Sequence, residues 1–347
     1  AGIQADLKVI ALMGGFGMSA ITALTAQNTT GVQAVYPVPA PFVARQINAV
    51  ISDIGVDAVK TGMLANGRIV KAVSRILRCL AETKIIVDPV MVAKGGAVLL
   101  EKEAYPAFKR ELIPLAFIVT PNLHEASVLT GTSTESVPRM KKAAHAIHLM
   151  GARNVLIKGG HLKGRAIDIL YDGRDYYELA SERIESRNTH GTGCTLSAAL
   201  AMEIAGGSPL LDAVKRAKEF VTAAIRSSID LGHGCGPLNP YASFSRHQEV
   251  LHCGGELKRA LAALKDGAIG HLIPEVQSNL GYALPLAAGP EDVVAFPGRI
   301  IRLNAGIAAV ADPLPGASRH IAQIILTAMQ YRSGVRSAMN IRYSPEI

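Results

Sequence analysis

The fold is decided by the stretch Lys84-Ile85-Ile86-Val87-Asp88-Pro89-Val90-Met91-Val92. It is dense in Val and Ile and has little polar alternation, which predicts a strand that is buried on both faces. Comparable apolar runs lie at residues 19–27, 58–63, 117–121 and 155–159. Strands of this kind are typical of a parallel sheet that is covered by helices on both sides.

Stretches with helical periodicity separate these runs, at residues 67–80, 102–112, 140–150, 195–205 and 211–231. The alternation predicts an α/β chain whose mostly parallel central sheet lies between two layers of helices. The runs at 166–171 and 176–181 flank Asp172-Gly173-Arg174-Asp175 and predict a hairpin within that layout.

A segment rich in Gly and Pro interrupts the helical periodicity and reads Gly232-His233-Gly234-Cys235-Gly236-Pro237-Leu238-Asn239-Pro240. We therefore expect a domain boundary near residue 245, with one domain over residues 1–245 and a smaller α/β domain over residues 246–347. The length of 347 residues agrees with two domains. In the second domain a helix is predicted around residues 256–265.

The composition excludes several classes of protein. Hydrophobic residues make up 49% and charged residues 18%, which excludes wholesale disorder. No apolar run reaches the ~18–20 residues of a membrane span, and we expect neither a leader nor a membrane contact. The 4 cysteines form no CxxC pair, which predicts a cytoplasmic protein without disulfides or zinc. A net charge of +8, spread along the chain, predicts no nucleic-acid arm and suits small anionic substrates.

The strongest local signal is Asn188-Thr189-His190-Gly191-Thr192-Gly193-Cys194-Thr195, which precedes a helical pattern. Gly191, Thr192, Gly193 and Cys194 would form a turn with N–H groups that point into one concavity, next to the positive end of the helix dipole. Such a turn binds phosphate or stabilises a transferring phosphoryl group. There the pKa of the Cys194 thiol is expected to fall, which provides a base or a nucleophile. The alternative is an ordinary Gly-rich loop with a small buried cysteine.

Polar residues also end three of the predicted strands. Asn122 and Glu125 are three apart, so one helical turn brings their oxygens together, which suits Mg²⁺ with its waters and nucleotide phosphates. Asp88 and Lys158 end two other strands at the same expected edge, where Asp88 suits the metal and Lys158 suits the phosphates. The alternatives are a helix capping box for the first pair and simple surface solubility for the second.

Four further residues are candidates for binding a heteroaromatic ring. Gln27 closes the run at 19–27, and its amide offers a donor and an acceptor to the edge of a ring. Asp6 lies on the helix-like stretch before it, while Met63 and Val90 would clamp the ring. Equally, Met63 and Val90 fit a plain hydrophobic core. Together with the charged strand ends, these residues indicate phosphoryl transfer without a GxxxxGK[ST] motif.

At these motifs the sequence resembles hydroxymethylpyrimidine/phosphomethylpyrimidine kinase, the ribokinase-like enzyme of thiamine biosynthesis. The resemblance covers about residues 1–240, in family order. It rests on Ala1-Gly2-Ile3-Gln4-Ala5-Asp6-Leu7-Lys8, Ile21-Thr22-Ala23-Leu24-Thr25-Ala26-Gln27-Asn28-Thr29, Lys60-Thr61-Gly62-Met63-Leu64, Val87-Asp88-Pro89-Val90-Met91-Val92-Ala93-Lys94, Thr120-Pro121-Asn122, Lys158-Gly159-Gly160-His161 and Asn188 to Thr195.

The resemblance implies a ribokinase-like α/β/α sandwich with ATP and Mg²⁺ as cofactors. Implied pyrimidine contacts are Asp6, Gln27, Met63 and Val90. Implied contacts of Mg·ATP are Asn122, Glu125 and Lys158, with the metal on Asp88 and Glu125, and the implied anion hole runs from Gly191 to Cys194. Most ribokinase-like sugar kinases have Asp where this chain has Cys194, whereas the pyrimidine kinases have Cys. We expect the family's leading strand and its Gly/Ser/Asp-rich turn to precede residue 1.

The tail resembles the amino-terminal part of a ThiN-type thiamine-phosphate synthase domain, and we expect that domain to be partial. The matching segments are Leu272-Ile273-Pro274-Glu275-Val276-Gln277-Ser278-Asn279, Phe296-Pro297-Gly298-Arg299-Ile300, Gly316-Ala317-Ser318-Arg319-His320 and Ala338-Met339-Asn340-Ile341-Arg342-Tyr343. Arg299 and His320 match positions where that family has essential Arg and His. With Arg319 and Arg342 they would hold the diphosphate and phosphate of two substrates. The alternative is scattered surface arginines.

These observations predict a fused enzyme of the thiamine pathway with small-molecule partners, assembled as a homodimer. The first domain would use ATP to phosphorylate 4-amino-5-hydroxymethyl-2-methylpyrimidine and then its monophosphate. The second would join the diphosphate to thiazole phosphate and so make thiamine phosphate. The alternatives are a pyridoxal or pyridoxine kinase, or a kinase fused to a domain that senses thiamine phosphate without chemistry.

Overall fold

The structure, a computed structural model, describes residues 2–343 apart from residues 81, 94, 161, 163–165, 182, 268, 286 and 305. Three motif residues, Ala1, Lys94 and His161, lie outside the described residues. The chain forms two compact units, Ala1–Ala242 and Ser243–Ile347.

The first unit contains two sheets. Its strands are β1 (Ala23–Gln27), β2 (Val32–Pro37), β3 (Ala58–Thr61), β4 (Lys84–Val87), β5 (Ile118–Val119), β6 (Asn154–Ile157), β7 (Ala166–Tyr171) and β8 (Tyr176–Ser181). Strands β3 to β8 form a six-stranded sheet in sequence order. The pairs from β3 to β6 are parallel, and β7 and β8 extend the sheet as the predicted antiparallel hairpin. The mostly parallel sheet is thereby confirmed.

The central strands are buried on both faces, as predicted. In β4, Ile85 and Val87 pack into one hydrophobic cluster, whereas Ile86 between them packs into a second cluster on the other face. The period of two along a strand sends alternate side chains to opposite faces, so each face needs its own layer of helices.

The helices of the first unit cover both faces of the sheet. They are α1 (Ile3–Leu12), α2 (Ala40–Asp53), α3 (Gly67–Leu77), α4 (Tyr105–Ala107), α5 (Leu123–Thr130), α6 (Val137–Leu149), α7 (Thr192–Ala205) and α8 (Leu210–Arg226). Residues of α3 and α6 belong to the first cluster, and residues of α1, α7 and α8 to the second. This arrangement confirms the α/β/α sandwich.

Several predicted boundaries are wrong. The helix predicted at 195–205 begins at Thr192, because Gly191 caps it and accepts a hydrogen bond from the Thr195 N–H at 2.8 Å. The strand predicted at 84–92 ends at Val87, just before Asp88 and the donor-less Pro89. The regular helix predicted at 102–112 is instead a series of short 3₁₀, α and π turns. Helix α8 ends at Arg226 instead of continuing to residue 231.

The strand predicted at 19–27 does not join the parallel sheet. The part of it that forms a strand, β1, pairs with β2 in a separate antiparallel hairpin, and most of its side chains are exposed. Because Leu24 is the only large apolar residue of β1, this strand cannot supply two buried apolar faces. Asn28 sets the turn that follows, since its Oδ1 accepts hydrogen bonds from the N–H groups of Thr30 and Gly31.

The second unit is a smaller sheet with a helix on each face. Its elements are α9 (Ala242–Asp266), β9 (Leu280–Ala283), β10 (Val293–Ala295), β11 (Ile300–Leu303), β12 (Gly306–Ala309), β13 (Leu314–Pro315), α10 (Arg319–Tyr331) and β14 (Ser337–Met339). The main sheet is antiparallel in the order β13-β10-β9-β14, beside the pair β11-β12. Cys253, Leu257 and Leu261 of α9 pack in one core, and Ile321 and Ile325 of α10 in another.

None of the helices in the described part of the chain combines the length and the apolar character needed to cross a membrane.

Candidate active site

A buried ion pair lies where the parallel strands end. Lys158 Nζ stands 3.0 Å from Asp88 Oδ1, and the two side chains are 15% and 2% exposed. Thr120 Oγ1 donates to Asp88 Oδ1 at 3.4 Å, and Ser197 Oγ donates to Oδ2 at 3.3 Å. Burial opposes ionisation of Asp88, but the charges of Lys158 and Lys60 outweigh it and hold the pKa of Asp88 below its ordinary value. The pair is therefore charged at neutral pH.

The backbone explains why these two residues meet. The Asp88 N–H donates to the Thr61 carbonyl at 3.0 Å, and the Lys158 N–H donates to the Pro121 carbonyl at 2.8 Å. Strand pairing thus continues past the ends of β4 and β6. Because the strands are parallel, their carboxyl ends share one edge, as the sequence predicted.

Glu125 stands at the same edge and caps helix α5. Its Oε2 accepts a hydrogen bond from the Asn122 N–H at 2.7 Å, while Asn122 Oδ1 accepts one from the Glu125 N–H at 2.9 Å. The capping box, one of the two readings open from the sequence, is therefore present. Burial raises the pKa of Glu125 to about 7, opposed by Lys158 and assisted by Asp88. This carboxyl titrates near neutrality while it serves as a cap.

The glycine turn lies against the ion pair. Thr192, Gly193 and Cys194 form the first turn of α7, whose N–H groups have no acceptor within the helix. A Cβ on Gly193 would stand 3.3 Å from Lys158 Nζ and 3.6 Å from Asp88 Oδ2. The structure therefore brings the turn, Asp88, Lys158 and Glu125 together, in an arrangement that suits an anion between the free N–H groups and the lysine.

The expected pKa of Cys194 is wrong in direction. Burial raises the pKa of its thiol, and this effect exceeds the lowering by the Lys60 charge and by the backbone hydrogen bond from Gly2. A position at a helix N-terminus does lower a thiol pKa, but desolvation disfavours the charged form more strongly here. Cys194 is therefore a neutral thiol at neutral pH.

A second buried ion pair lies beside Cys194, and the sequence analysis did not predict that its two members pair. Lys60 Nζ stands 2.8 Å and 3.0 Å from the two carboxylate oxygens of Asp6. The side chains of Lys60 and Asp6 are 9% and 15% exposed. Burial disfavours the charge on Lys60, but Cys194, Asp6 and Asp88 outweigh it and raise the Lys60 pKa. The signal in the sequence was a lysine within a strand predicted to be buried.

The residues expected to hold a ring are only partly assembled. Met63 is half-buried, packs at the edge of the first core cluster, and accepts a hydrogen bond at its carbonyl from Thr22 Oγ1. Val90 is also half-buried, two residues after Asp88. Gln27 is exposed on the hairpin, where its Oε1 accepts a 3.5 Å hydrogen bond from Thr25 Oγ1. Gln27 does end a strand, as predicted, but β1 belongs to the two-stranded hairpin sheet and not to the parallel sheet.

The acidic groups fit a magnesium ion that is shared with a phosphate. Among the described residues, no group of three or more His, Cys, Asp and Glu side chains is arranged to hold a metal. Mg²⁺ commonly takes only one or two carboxylates and completes its shell with water and substrate phosphates. Asp88 and Glu125 supply that number of carboxylates, next to the glycine turn.

In the second unit the candidate residues are exposed. Arg299 has a left-handed backbone with φ of 72°, and its guanidinium donates to the Val276 carbonyl. His320 lies in the first turn of α10 and is exposed, as is Arg319 beside it. Asn279 connects two of the segments that resemble the ThiN domain. Its Nδ2 donates a hydrogen bond to the Phe296 carbonyl, and its Oδ1 accepts one from the Phe296 N–H.

The layer order and the position of the charged cluster at the carboxyl ends of the strands define a protein of the ribokinase-like class. Residues 1–239 match the family of phosphomethylpyrimidine kinase, and residues 256–347 match the family of thiamine-phosphate synthase ThiN. The chain belongs to the phosphomethylpyrimidine kinase family, and its tail is a ThiN domain. Both resemblances drawn from the motifs are confirmed.

Individual relatives agree with this assignment. The chain is 52% identical over 240 residues to the thiamine biosynthesis bifunctional protein ThiED of Geobacter sulfurreducens, which covers 69% of this chain and 49% of that protein. It is 45% identical over 248 residues to the hydroxymethylpyrimidine/phosphomethylpyrimidine kinase of Haemophilus influenzae, which covers 70% of this chain and 92% of that enzyme. The chain spans about half the length of the bifunctional relatives that it matches.

A solved structure shows the same fold. The ADP complex of Bacillus subtilis pyridoxal kinase superposes with a TM-score of 0.66 at 40% identity, over 70% of this chain and 93% of that chain.

Proposed function

We propose that the first unit transfers the γ-phosphoryl group of ATP to 4-amino-5-hydroxymethyl-2-methylpyrimidine, and then to its monophosphate. The observation that carries the proposal is the close approach of Gly193 to the Lys158–Asp88 pair, where a Cβ on Gly193 would stand 3.3 Å from Lys158 Nζ. N–H groups at the start of a helix and a buried positive charge beside them suit a transferring phosphoryl group.

Each side chain then has a role that follows from its surroundings. Lys158 binds phosphate oxygens and keeps its charge because Asp88 pairs with it. Asp88 and Glu125 would hold Mg²⁺, which neutralises phosphate charge when bound. Gly193 and Cys194 lie in the first turn of α7, and their N–H groups would donate to the transferred group.

The neutral state of Cys194 selects between two roles, a base for the attacking hydroxymethyl oxygen or a hydrogen-bonding partner of that oxygen. A thiol whose pKa is raised is a poor base but still forms a weak hydrogen bond. Phosphoryl transfer with a loose transition state needs little deprotonation of the attacking oxygen before the bond forms. We therefore assign Cys194 to positioning of that oxygen.

Phosphorus NMR of the products tests the proposal directly. The purified protein is incubated with ATP, Mg²⁺ and the aminopyrimidine alcohol, and signals of a monophosphate and then a diphosphate should appear. Cys194→Ser keeps a hydrogen-bonding group and should retain most of the turnover, whereas Cys194→Ala should lose at least about 10-fold. An equal loss in both variants, with a pH profile that loses one limb, would return Cys194 to the role of base.

Pyridoxal kinase activity is the second candidate, favoured by the likeness to the Bacillus subtilis enzyme. The same incubation with pyridoxal in place of the aminopyrimidine separates the two. Higher kcat/KM with pyridoxal would refute the pyrimidine assignment, because kcat/KM reports the preference for one transition state over the other.

We propose that the two compact units are the two functional domains, and that the second makes thiamine phosphate from the pyrimidine diphosphate and thiazole phosphate. The exposed Arg299 and Arg319 support this, since cations open to solvent suit two phosphorylated substrates, and His320 is exposed next to Arg319. We expect the protein to form thiamine phosphate from both precursors, and we expect Arg299→Ala to abolish this activity. Binding of thiamine phosphate without its formation would instead favour a sensing domain.

A cytoplasmic homodimer is proposed for the assembly. Cys79, Cys194 and Cys253 are free thiols, which fits a reducing compartment. Leu24 and Tyr36 of the hairpin are 56% and 65% exposed, and Phe42 is 55% exposed, which suits an apolar contact with a second copy. Light scattering after gel filtration should give twice the mass of the chain, and Tyr36→Glu should shift it to the mass of a monomer.

A further inference from the structure

The segment rich in Gly and Pro at residues 232–238 is part of the first unit and packs against it on two sides. From the sequence it was only a break before the second domain. Its contacts give it a different role, which neither the family match nor the proposed chemistry assigns.

On one side the segment holds the turn of the β1–β2 hairpin. The Gly234 N–H donates to Thr29 Oγ1 at 3.2 Å, and the Cys235 N–H donates to the Thr29 carbonyl at 2.9 Å. A Cβ on Gly234 would overlap the Thr29 carbonyl, so only glycine allows this approach. Thr29 lies two residues after Gln27, the expected pyrimidine contact.

On the other side it holds the loop that leads into Cys194. The His190 N–H donates to the Gly236 carbonyl at 3.0 Å, and the Leu238 N–H donates back to the His190 carbonyl at 3.4 Å. A Cβ on Gly236 would overlap Asn188 Oδ1. Asn188 Nδ2 also donates to Asp230 Oδ1 at 3.2 Å, so this side is fixed at several points.

We propose that residues 232–238 form a coupling segment that holds the hairpin turn and the loop before Cys194 in one register. Thr29, Gly234 and Gly236 are then positioning residues for the proposed phosphoryl transfer, on which this inference rests. The physical reason is that both sides bind the same short backbone, so a displacement of the hairpin turn must displace the loop. A reaction whose rate depends on the alignment of reacting atoms is sensitive to such displacement.

Thr29→Val is the decisive variant because valine keeps the shape of threonine and removes only the hydroxyl acceptor. We expect kcat/KM for the aminopyrimidine alcohol to fall about 3- to 10-fold, the range for one hydrogen bond, through both a higher KM and a lower kcat. Thr29→Ser keeps the hydroxyl and should restore both constants. If the Thr29 hydrogen bond fixed only the hairpin and not the loop before Cys194, Thr29→Val would change KM and leave kcat unchanged.

A second pair of variants approaches the segment from its other side. Gly236→Ala should lower kcat and raise KM, because its Cβ displaces Asn188. The matched control is Gly31→Ala in the turn of the β1–β2 hairpin. A Cβ there meets nothing within 4 Å, so kcat and KM of this variant should not change.

Amide hydrogen exchange of the full chain separates this inference from the proposed function. Thr29→Val should accelerate exchange of two hydrogen-bonded amides at least about 3-fold, whatever the substrate is: the His190 N–H, which donates to the Gly236 carbonyl, and the Thr195 N–H, which donates to the Gly191 carbonyl. Faster exchange there without pyrimidine turnover would refute the kinase assignment and leave the coupling intact. Unchanged exchange at His190 and Thr195 together with an unchanged kcat would overturn the coupling.

Discussion

The two units hold their charged groups in opposite ways. In the first unit Lys158 pairs with Asp88 and Lys60 pairs with Asp6, and all four side chains are at most 15% exposed. In the second unit Arg299 and Arg319 are exposed. Buried pairs have lost their water during folding, so their positions are fixed before a substrate binds. Exposed cations keep their water and are ordered by the ligand.

This difference in burial predicts that equivalent substitutions affect the stability of the two units differently. Removing one member of a buried pair leaves an uncompensated charge, whereas removing an exposed arginine leaves nothing unsatisfied. The same type of substitution should therefore have large effects on folding in the first unit and small ones in the second.

The largest expected effect is that of Lys158→Met. It leaves Asp88 buried without its partner and should destabilise the first unit by about 3–5 kcal/mol in urea unfolding at pH 7.5. The double variant with Asp88→Asn should recover much of that loss. Arg319→Ala is the control, with a change below about 0.5 kcal/mol. A loss below about 1 kcal/mol for Lys158→Met would mean that the pair is hydrated.

The next largest expected effect is a pH dependence of stability that Glu125 causes. Because its pKa is raised from 4.5 to about 7, the folded protein binds the proton more tightly than the unfolded chain. The resulting stability is present below pH 4.5 and is lost as the pH rises through 7, a change of about 3 kcal/mol. Glu125→Gln keeps an acceptor for the cap and should remove this dependence. Parallel stability curves for both proteins between pH 5 and 8 would contradict it.

A smaller effect is expected at Lys60. Lys60→Met removes the charge that lowers the Cys194 pKa. Alkylation of Cys194 by iodoacetamide at pH 8 should then slow about 10-fold, because a rise of about one unit in the thiol pKa lowers the thiolate fraction by that factor. Lys60→Arg should keep the wild-type rate. Mass spectrometry of the Cys194 peptide follows this thiol apart from the exposed Cys79. Equal alkylation rates in Lys60→Met and Lys60→Arg would show that the charge of Lys60 does not affect the Cys194 thiol.

The smallest effect concerns the backbone of Arg299. Its φ of 72° favours glycine, so Arg299→Gly should be about 0.5–1 kcal/mol more stable than Arg299→Ala. Thermal unfolding of the two variants measures the difference. If alanine were the more stable, the left-handed conformation would not be retained in solution.

Local sequence determined much of the fold. The hairpin β7–β8 has its predicted bounds, because its strand pattern and its Asp172-Gly173 turn act between neighbours. The meeting of Asp88, Asn122 and Lys158 at one edge followed from parallel strands alone. The motifs also sufficed to recognise both families.

Only the tertiary structure decided the rest. The Lys60–Asp6 pair joins residues 54 apart, and the contact of Gly234 with Thr29 joins residues 205 apart. Neither separation leaves a periodic signal in the sequence. The pKa of Cys194 depends on how much water folding removes, and the place of β1 depends on which strand it pairs with. These properties come from burial and from long-range pairing, which a linear pattern of residues does not contain.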